Sequence, residues 1–190
     1  MLNIIGRSDH MFDEDIENNY KDLLTLYSNS RILIIGAAGT IGSATTIEIC
    51  KYNPLCLHLV DISENNLVEL VRRIRSSPNI NLNVLKTFAL DLGSKEFQSF
   101  IESQPAYDFV LNFSAMKHVR SERDPFTLMR MVRVNIFNAI NLLRISKSLG
   151  ETRNFTVSTD KAANPINLMG ASKRIMEMFL MREAEKTHIS

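Results

Sequence analysis

The sequence contains no tryptophan and only two cysteines, Cys50 and Cys56. Two thiols at this spacing suit neither a disulfide scaffold nor a zinc-binding knuckle, so we expect both to be buried and reduced. Hydrophobic residues make up 45% of the chain and charged residues 23%, which is ordinary for a folded domain with a real core. These proportions, and the lack of low-complexity tracts or tandem repeats, argue against a disordered or repetitive chain.

Neither sign of charge dominates the sequence. The chain has 22 basic and 21 acidic residues, a formal net charge of +1. This balance does not indicate a surface that binds a nucleic acid or an anionic membrane. No apolar run approaches the ~20 residues that a spanning helix needs, and the first ten residues lack the apolar core of a signal peptide. We therefore expect a cytoplasmic protein whose partners are small molecules.

The most informative stretch runs from Arg31 to Gly42 and reads RILIIGAAGTIG. An apolar strand leads directly into three glycines and then a helical pattern, which suits a dinucleotide pyrophosphate approaching the amides at a helix N-terminus. Gly36 permits the tight turn, Gly39 leaves room for the phosphate, and Gly42 lets the helix pack on the strand. The spacing G-x-x-G-x-x-G is the form that short-chain dehydrogenases use; an ordinary turn is the alternative.

Strands and helices alternate along the rest of the chain. This order requires right-handed crossovers and predicts an α/β fold with a doubly wound parallel sheet. We expect a helical N-terminal extension over residues 1–29, with a helix near 13–27, and a dinucleotide-binding domain over 30–190. The predicted strands are 31–36, 57–61, 84–90, 108–113 and 154–158. The predicted helices are 40–52, 63–76, 94–103, 125–149 and 168–187.

The last two predicted helices carry apolar faces. In helix 125–149 the residues Leu128, Val132, Ile136, Ala139, Ile140 and Leu143 recur at helical spacing, which indicates core or subunit interface. Met176, Met178 and Met181 suggest the same for the final helix. Asn135 lies within the long helix, where we expect it to bond the backbone rather than a substrate.

Asp61 is the first candidate for cofactor recognition outside the glycines. It ends the second predicted strand, nineteen residues after Gly42, where this fold places an acid that accepts hydrogen bonds from the adenosine ribose diol. A carboxylate there repels a 2′-phosphate, and Arg72 and Arg73 lie too far along the next helix to compensate. NAD is therefore favoured over NADP. The alternative is that Asp61 or Ser63 caps the following helix.

Further candidates follow the first, third and fourth strands. Asp91 can hold the adenine amino group while the Leu92 backbone supports the ring; capping of the next helix by Asp91 is equally compatible with the sequence. Ser114 and Lys117 follow the fourth strand, where parallel sheets place ligand-binding loops, although Lys117 also fits an ordinary surface loop. Thr40 and Ile41, between the glycines, complete the cofactor set.

His118 lacks acidic or cysteine partners at metal spacing, so we expect no metal site and interpret it as structural or solvent-facing.

The segment from Val157 to Lys173 reads VSTDKAANPINLMGASK, and an earlier segment, 112–119, reads NFSAMKHV. Together with GAAGTIG, these motifs resemble an extended short-chain dehydrogenase/reductase with a Rossmann-type NAD-binding domain. More narrowly, they resemble the nucleotide-sugar 4,6-dehydratases of bacterial polysaccharide biosynthesis that act on UDP-N-acetylglucosamine. The run STDKAANP is specific to that family, and the resemblance covers about residues 31–187.

The resemblance implies a reaction and a set of catalytic residues. NAD takes hydride from sugar carbon 4, the ketone acidifies the proton on carbon 5, water leaves from carbon 6, and the hydride returns there. Thr159 would hydrogen-bond the 4-oxygen, Asp160 and Lys161 would share the acid and base work, and Lys173 would grip the nicotinamide ribose. Relatives pair helices 125–149 and 168–187 across a two-fold axis, which implies a homo-oligomer.

Met169 departs from the dehydrogenase pattern. Short-chain dehydrogenases carry Tyr-x-x-x-Lys, whereas this chain has Met169 four residues before Lys173. A thioether does not relay protons, so the resemblance shifts this role to Asp160, Lys161 or water. Some polysaccharide dehydratases share the methionine. Taken alone, Met169 equally suggests core packing, and Lys173 taken alone suggests a solvated lysine.

Extended members of this superfamily continue into further strands and a C-terminal sugar-binding region. The sequence stops at Ser190, so we expect the substrate-binding part to be missing and the activity of these 190 residues alone to be doubtful. Two rivals to the dehydratase remain open. One is a nucleotide-sugar 4-epimerase, which the missing tyrosine disfavours; the other is a noncatalytic dinucleotide-binding module.

Overall fold

The computed structural model describes residues 11–76, 84–117 and 122–185. Five parallel strands form one sheet in the order β3-β2-β1-β4-β5. The strands are β1 (Arg31–Ile35), β2 (Cys56–Asp61), β3 (Leu85–Ala89), β4 (Phe109–Asn112) and β5 (Arg153–Thr156). The strand order reverses at β1, with β2 on one side and β4 on the other. The predicted doubly wound sheet is confirmed, and its switch point lies at the glycine-rich turn.

Helices cover both faces of this sheet. They are α1 (Asp13–Asn18), α2 (Tyr20–Tyr27), α3 (Thr40–Cys50), α4 (Glu64–Arg75), α5 (Lys95–Glu102), α6 (Pro125–Val132), α7 (Ala139–Leu149) and α8 (Leu168–Glu185). Helices α3 and α4 pack on the face that carries Ile32 and Ile34, while α5 and α7 pack on the face of Leu33 and Ile35. Because β1 is buried on both sides, residues 32–35 form an unbroken apolar run rather than an alternating pattern.

The predicted helix 125–149 is helical throughout, but its α-helical hydrogen bonding is interrupted. A π-helical segment, Arg133–Asn138, separates α6 from α7. Asn135 lies buried in this segment, where its amide exchanges hydrogen bonds with the backbone N–H and C=O of Met116, at 2.9 and 3.0 Å. The backbone-binding interpretation of Asn135 is confirmed. Sequence periodicity missed the interruption because a single widened turn leaves the apolar spacing almost unchanged.

The predicted helix near 13–27 is also interrupted, since α1 and α2 meet at Asn19. Two tyrosines of α2 attach this region to the sheet domain. The ring of Tyr27 lies 5.3 Å from that of Phe109 and 5.8 Å from that of Tyr52, and Tyr20 also contacts Tyr52. Aromatic contacts of this kind bury a large area with defined geometry. The boundary between extension and domain stays a prediction.

Both cysteines are buried free thiols, as predicted. Cys50 ends α3 and Cys56 begins β2. Burial raises the pKa of the Cys50 thiol to about 11, so it stays protonated and unreactive at neutral pH. The pair therefore belongs to the core.

Candidate active site

A cavity of about 650 Å³ opens at the carboxyl ends of the parallel strands. Its walls come from the loops that follow β1, β2, β3, β4 and β5 and from the first turns of α8. Every candidate residue predicted from the sequence, except Asp160, lines it. These residues are Gly36, Gly39, Thr40, Ile41, Gly42, Asp61, Asp91, Leu92, Ser114, Lys117, Thr159, Lys161, Met169 and Lys173.

Backbone contacts shape the turn between β1 and α3. Gly36 has φ +72°, a left-handed conformation that favours glycine, and a Cβ there would lie 2.8 Å from the Ser114 nitrogen. A Cβ on Gly42 would overlap the Gly36 carbonyl oxygen. Gly39 occupies the N-cap position of α3 and brings no side chain to it. The first turn of α3 lines the cavity, and its backbone N–H groups are available there to bind an anion.

Asp61 joins this turn to the end of β2. Its Oδ2 accepts a hydrogen bond from the Ala38 N–H and its Oδ1 accepts one from the Ser63 N–H, both at 3.0 Å. The N-cap of α4 is Ser63, whose hydroxyl accepts from the Asn66 N–H, so the capping alternative is confirmed for Ser63 and was wrong for Asp61. A carboxylate has about four acceptor sites, and Asp61 keeps capacity for hydroxyl donors from the cavity.

Asp91 and Leu92 lie at the opposite end of the cavity from α8. The Asp91 Oδ1 accepts from the Gly93 N–H at 2.9 Å, and its Oδ2 lies 3.8 Å from the Arg130 guanidinium. Helix α5 is capped by Ser94 rather than by Asp91, so the capping alternative was wrong here too. Leu92 is half-buried against the core.

The loop after β4 contributes Ser114 and Lys117. Both the N–H and the hydroxyl of Ser114 donate to the Oδ1 of Asn112, at 3.0 and 2.6 Å, which fixes the loop to the end of the strand. Lys117 is exposed at the rim of the cavity. His118 lies outside the described residues.

Lys173 is buried, with 4% of its surface exposed, and reaches the cavity from α8. Its Nζ donates to the Val157 carbonyl oxygen at 3.0 Å. Burial lowers the pKa of Lys173 to about 8, while the nearby Glu177 carboxylate acts in the opposite direction. The alternative of a solvated lysine was therefore wrong, and Lys173 presents a cation next to the end of β5.

Asp160 and Lys161 lie in a 3-10 turn, Asp160–Ala162, which follows β5 and has Thr159 at its N-cap. The Thr159 hydroxyl donates to the Asp160 carboxylate at 2.9 Å, and the Lys161 Nζ lies 3.3 Å from the same oxygen. These hydrogen bonds, first that from Thr159, lower the pKa of Asp160. The Asp160 side chain is 85% exposed and does not line the cavity, because its two neighbours hold it on the solvent side.

Met169 occupies the first turn of α8, buried, with its side chain at the cavity wall. Its backbone N–H donates to Glu122 Oε1 at 2.8 Å, and Asn167 accepts from the Gly170 N–H. These contacts satisfy two free amides of the helix. The sequence analysis missed both; an asparagine just before a helical pattern is a recognisable cap signal, whereas Glu122 is 47 residues distant.

Two further polar contacts escaped the sequence analysis. The Ser158 hydroxyl donates to Glu177 on α8, and the Asn135 amide donates to the Ser172 hydroxyl at 2.9 Å. Glu177 follows Lys173 by four residues, one helical turn, and that spacing was the available signal. The pairing of Ser172 with Asn135 left no local signal, since it joins α8 to the π-helical segment.

The parallel sheet, its glycine turn and the cavity at the carboxyl edge define the short-chain dehydrogenase/reductase type of Rossmann fold. A short-chain type dehydrogenase/reductase from Mycobacterium ulcerans superposes with a TM-score of 0.71 over 84% of this chain and 63% of that one, at 12% identity. Residues 32–190 match the profile of the polysaccharide biosynthesis protein family, and the chain belongs to this family. The family resemblance inferred from the sequence is confirmed.

Two curated relatives are similar to most of this chain. An uncharacterized membrane protein of Methanocaldococcus jannaschii is 31% identical over 83% of this chain and 44% of its own length. An inverting UDP-N-acetylglucosamine 4,6-dehydratase of Campylobacter jejuni is 31% identical over 78% of this chain and 42% of its own length. The chain thus spans less than half the length of these relatives. Within the described residues, no helix combines the length and apolarity needed to cross a membrane.

Proposed function

We propose that this chain is the dinucleotide-binding part of an NAD-dependent nucleotide-sugar 4,6-dehydratase. The substrate is UDP-N-acetylglucosamine and the product a 4-keto-6-deoxy sugar nucleotide for surface polysaccharide or glycan synthesis. One observation carries the proposal: the glycine turn and the residues Thr159, Lys161 and Lys173 line the same cavity. A dinucleotide that begins at the glycine turn and follows this cavity ends beside the side chains that the chemistry needs.

The lining of the cavity fits the parts of NAD in order. The amides at the start of α3 suit the pyrophosphate, since residues 39–42 line the cavity and Gly39 at the N-cap brings no side chain to that space. Asp61 suits the adenosine ribose diol, and its negative charge disfavours the 2′-phosphate of NADP. Asp91 and Leu92 suit the adenine, with Thr40, Ile41, Ser114 and Lys117 completing the cofactor lining. Lys173 suits the nicotinamide ribose.

NAD, when bound, supplies the acceptor and later the donor of one hydride, so the reaction is redox-neutral overall. The Thr159 hydroxyl, whose proton is donated to Asp160, accepts from the sugar 4-hydroxyl. Lys161 reaches the cavity, and we assign it the proton transfers at carbons 5 and 6. Asp160 contacts the Lys161 ammonium from the solvent side and acts as its counter-charge. Met169 excludes water and leaves the proton transfers to Lys161.

Exposed apolar side chains support a homo-oligomer built through residues 125–149 and 168–187. Phe126, Met129 and Phe137 on the α6–α7 region are more than 60% exposed, as is Met181 on α8. Patches of this kind on a soluble domain mark interaction surfaces. A Phe126→Glu variant is expected to shift the elution of the complete protein toward the monomer in light-scattering chromatography, and an unchanged mass would contradict the dimer. The cytoplasmic location expected from the sequence stays a prediction.

The deciding experiment incubates the complete protein with UDP-N-acetylglucosamine and analyses the product by mass spectrometry and proton NMR. The dehydratase predicts a product lighter by one water, with no net change in NAD. Lys161→Ala should lower the rate about 10²- to 10⁴-fold, the usual range for a lost acid or base. Lys51→Ala, at an exposed surface pair, is the matched control.

Other products would assign the protein elsewhere. A sugar nucleotide isomeric with the substrate would indicate a 4-epimerase. An enzyme preparation that binds NAD, forms no product and loses nothing in Lys161→Ala would indicate a noncatalytic binding module.

A further inference from the structure

Helix α8 contacts the end of β5 through two side chains one helical turn apart. Lys173 donates to the Val157 carbonyl oxygen, and Glu177 accepts from the hydroxyl of the next residue, Ser158. Val157 and Ser158 immediately precede the turn that carries Thr159 and both line the cavity. The two contacts together set the position of the turn relative to the helix.

Glu177 is held by partners on both carboxylate oxygens. Its Oε1 accepts from Ser158, and its Oε2 accepts from the Arg174 guanidinium at 3.2 Å. The side chain is only 26% exposed, so its position is defined by these contacts rather than by solvent. A carboxylate fixed in this way acts at a constant distance from Lys173.

The ammonium of Lys173 needs such a counter-charge. It is nine-tenths buried or more, and its hydrogen-bond partners are a carbonyl oxygen and, at 3.8 Å, the weak acceptor sulfur of Met176. Burial favours the neutral amine, and the charge of Glu177 opposes this.

The other charged groups near α8 within the described residues are engaged elsewhere or exposed. Glu122 accepts from the Met169 N–H at the start of the helix, and Asp160 and Lys161 pair with each other. Arg144 pairs with Glu183 and Lys147 donates to the Glu183 carbonyl at the far end of the helix. Arg130 pairs with Asp91, and Arg133 and Arg182 are exposed. Glu177 is therefore the carboxylate that acts on Lys173.

We propose that Glu177 is a positioning residue of the cofactor cavity, which fixes the end of β5 through Ser158 and places a negative charge one helical turn from Lys173. The inference rests on the proposed function, because it takes Lys173 as the group that binds the nicotinamide ribose. Its contribution has two separable parts: a hydrogen bond, which Ser158→Ala removes, and a charge, which Glu177→Gln removes while an amide oxygen still accepts from Ser158.

The two parts predict different pH profiles of cofactor affinity. If binding uses the Lys173 ammonium, affinity falls as the pH rises through the pKa of Lys173, which is about 8 in the intact protein. Removing the Glu177 charge lowers that pKa, so the fall in affinity begins at lower pH. Removing the Ser158 hydroxyl leaves the charge in place, so affinity drops by a similar factor at every pH.

The test measures the NAD dissociation constant of the complete protein by calorimetry across the neutral and alkaline range. We expect Glu177→Gln to move the midpoint of the profile down by about one pH unit, the lower end of what a close charge contributes. Ser158→Ala should leave the midpoint unchanged. Glu183→Gln removes a carboxylate from the same helix at a distance from Lys173 and is the matched control, with an unchanged profile expected.

A Glu177→Gln profile that superimposes on that of the wild type would overturn the inference, whether or not the protein is a dehydratase. Should Glu177→Gln fail to fold, Arg174→Gln tests the same charge, since it removes the exposed cation that partly neutralises Glu177. Its midpoint should move upward, and an unmoved midpoint overturns the inference. Conversely, a shifted midpoint in a protein that binds NAD but yields no dehydrated sugar would support Glu177 and refute the dehydratase.

Discussion

The two walls of the cavity are built by different means. The glycine wall, formed by residues 36–42 and Asp61, is shaped by backbone: glycines pack against neighbouring carbonyls and amides, and Asp61 holds two backbone N–H groups. The lysine wall, formed by residues 157–161 and 169–177, is held by long side chains that cross between elements. In the glycine wall an added Cβ at Gly36 or Gly42 would meet backbone atoms that have to move, whereas the lysine wall tolerates substitution but changes its charge.

The largest effect is expected from Gly42→Ala in the glycine wall. The new methyl group would overlap the Gly36 carbonyl oxygen, so the backbone must move, which we expect to lower the free energy of unfolding by about 3 kcal/mol and to remove NAD binding. Gly39→Ala is the matched control, since its Cβ would lie 3.3 Å from the same oxygen. Denaturant unfolding checks both; equal stabilities of the two variants would contradict the backbone account of this wall.

The second prediction concerns the free energy of unfolding at acid pH, which depends on a histidine in the sheet behind the glycine wall. His58 on β2 is buried against the Tyr107 hydroxyl, at 2.7 Å, and burial lowers its pKa to about 4. The folded pKa lies below the unfolded value, so the unfolded chain binds the proton first. Stability is therefore complete above about pH 6.5 and falls as the pH drops toward 4, by about 2 kcal/mol at pH 5 from this group.

His58→Gln keeps a hydrogen-bonding side chain but does not titrate in this range. Its unfolding free energy should depend less on pH between neutrality and pH 5 than that of the wild type. Denaturant titrations at the two pH values provide the comparison. Identical pH dependence in both proteins would show that His58 does not cause the loss of stability in acid.

The third prediction tests whether the lysine wall works by charge. Lys173→Met replaces a buried ammonium by an apolar side chain of similar length, so we expect unchanged or higher stability, because burial disfavours the charge. NAD affinity should fall about ten- to a hundredfold, since a hydrogen bond from a charged donor is worth roughly 1.5–3 kcal/mol. Thermal unfolding and calorimetry measure the two quantities. A loss of stability without a loss of affinity would make Lys173 structural.

The smallest effect is expected at Asp160. Its carboxylate is 85% exposed, so Asp160→Asn should leave the free energy of unfolding unchanged within experimental error. NAD affinity should also stay within error, because the side chain does not line the cavity. Only the turnover of the complete protein should respond. A large loss of cofactor affinity in this variant would show that Asp160 takes part in cofactor binding and contradict this prediction.

The glycine wall was largely predictable from sequence because its determinants are local. An apolar run followed by glycines at fixed spacing specifies strand, turn and helix within a dozen residues, and the structure places Gly36, Gly39 and Gly42 at the cavity as expected. The double use of Asp61 was not predictable, since its acceptance from Ala38 depends on how β1 and β2 pair.

The lysine wall was predictable only in part. The spacing of Met169 and Lys173 placed both on one turn of helix facing the cavity, and the motif placed Thr159 and Lys161 there. The exposure of Asp160, the contact of Glu122 with α8 and the π-helical segment that turns Asn135 inward all depend on packing between distant elements. Residue spacing along one helix or strand carries no record of such contacts.

The most direct test of the account is a crystal structure of the protein with NAD bound. The account predicts the adenosine ribose at Asp61, the pyrophosphate on the first turn of α3, and the nicotinamide ring between Thr159 and Lys173. A nicotinamide ring directed away from the end of β5, or a dinucleotide bound elsewhere on the molecule, would contradict it.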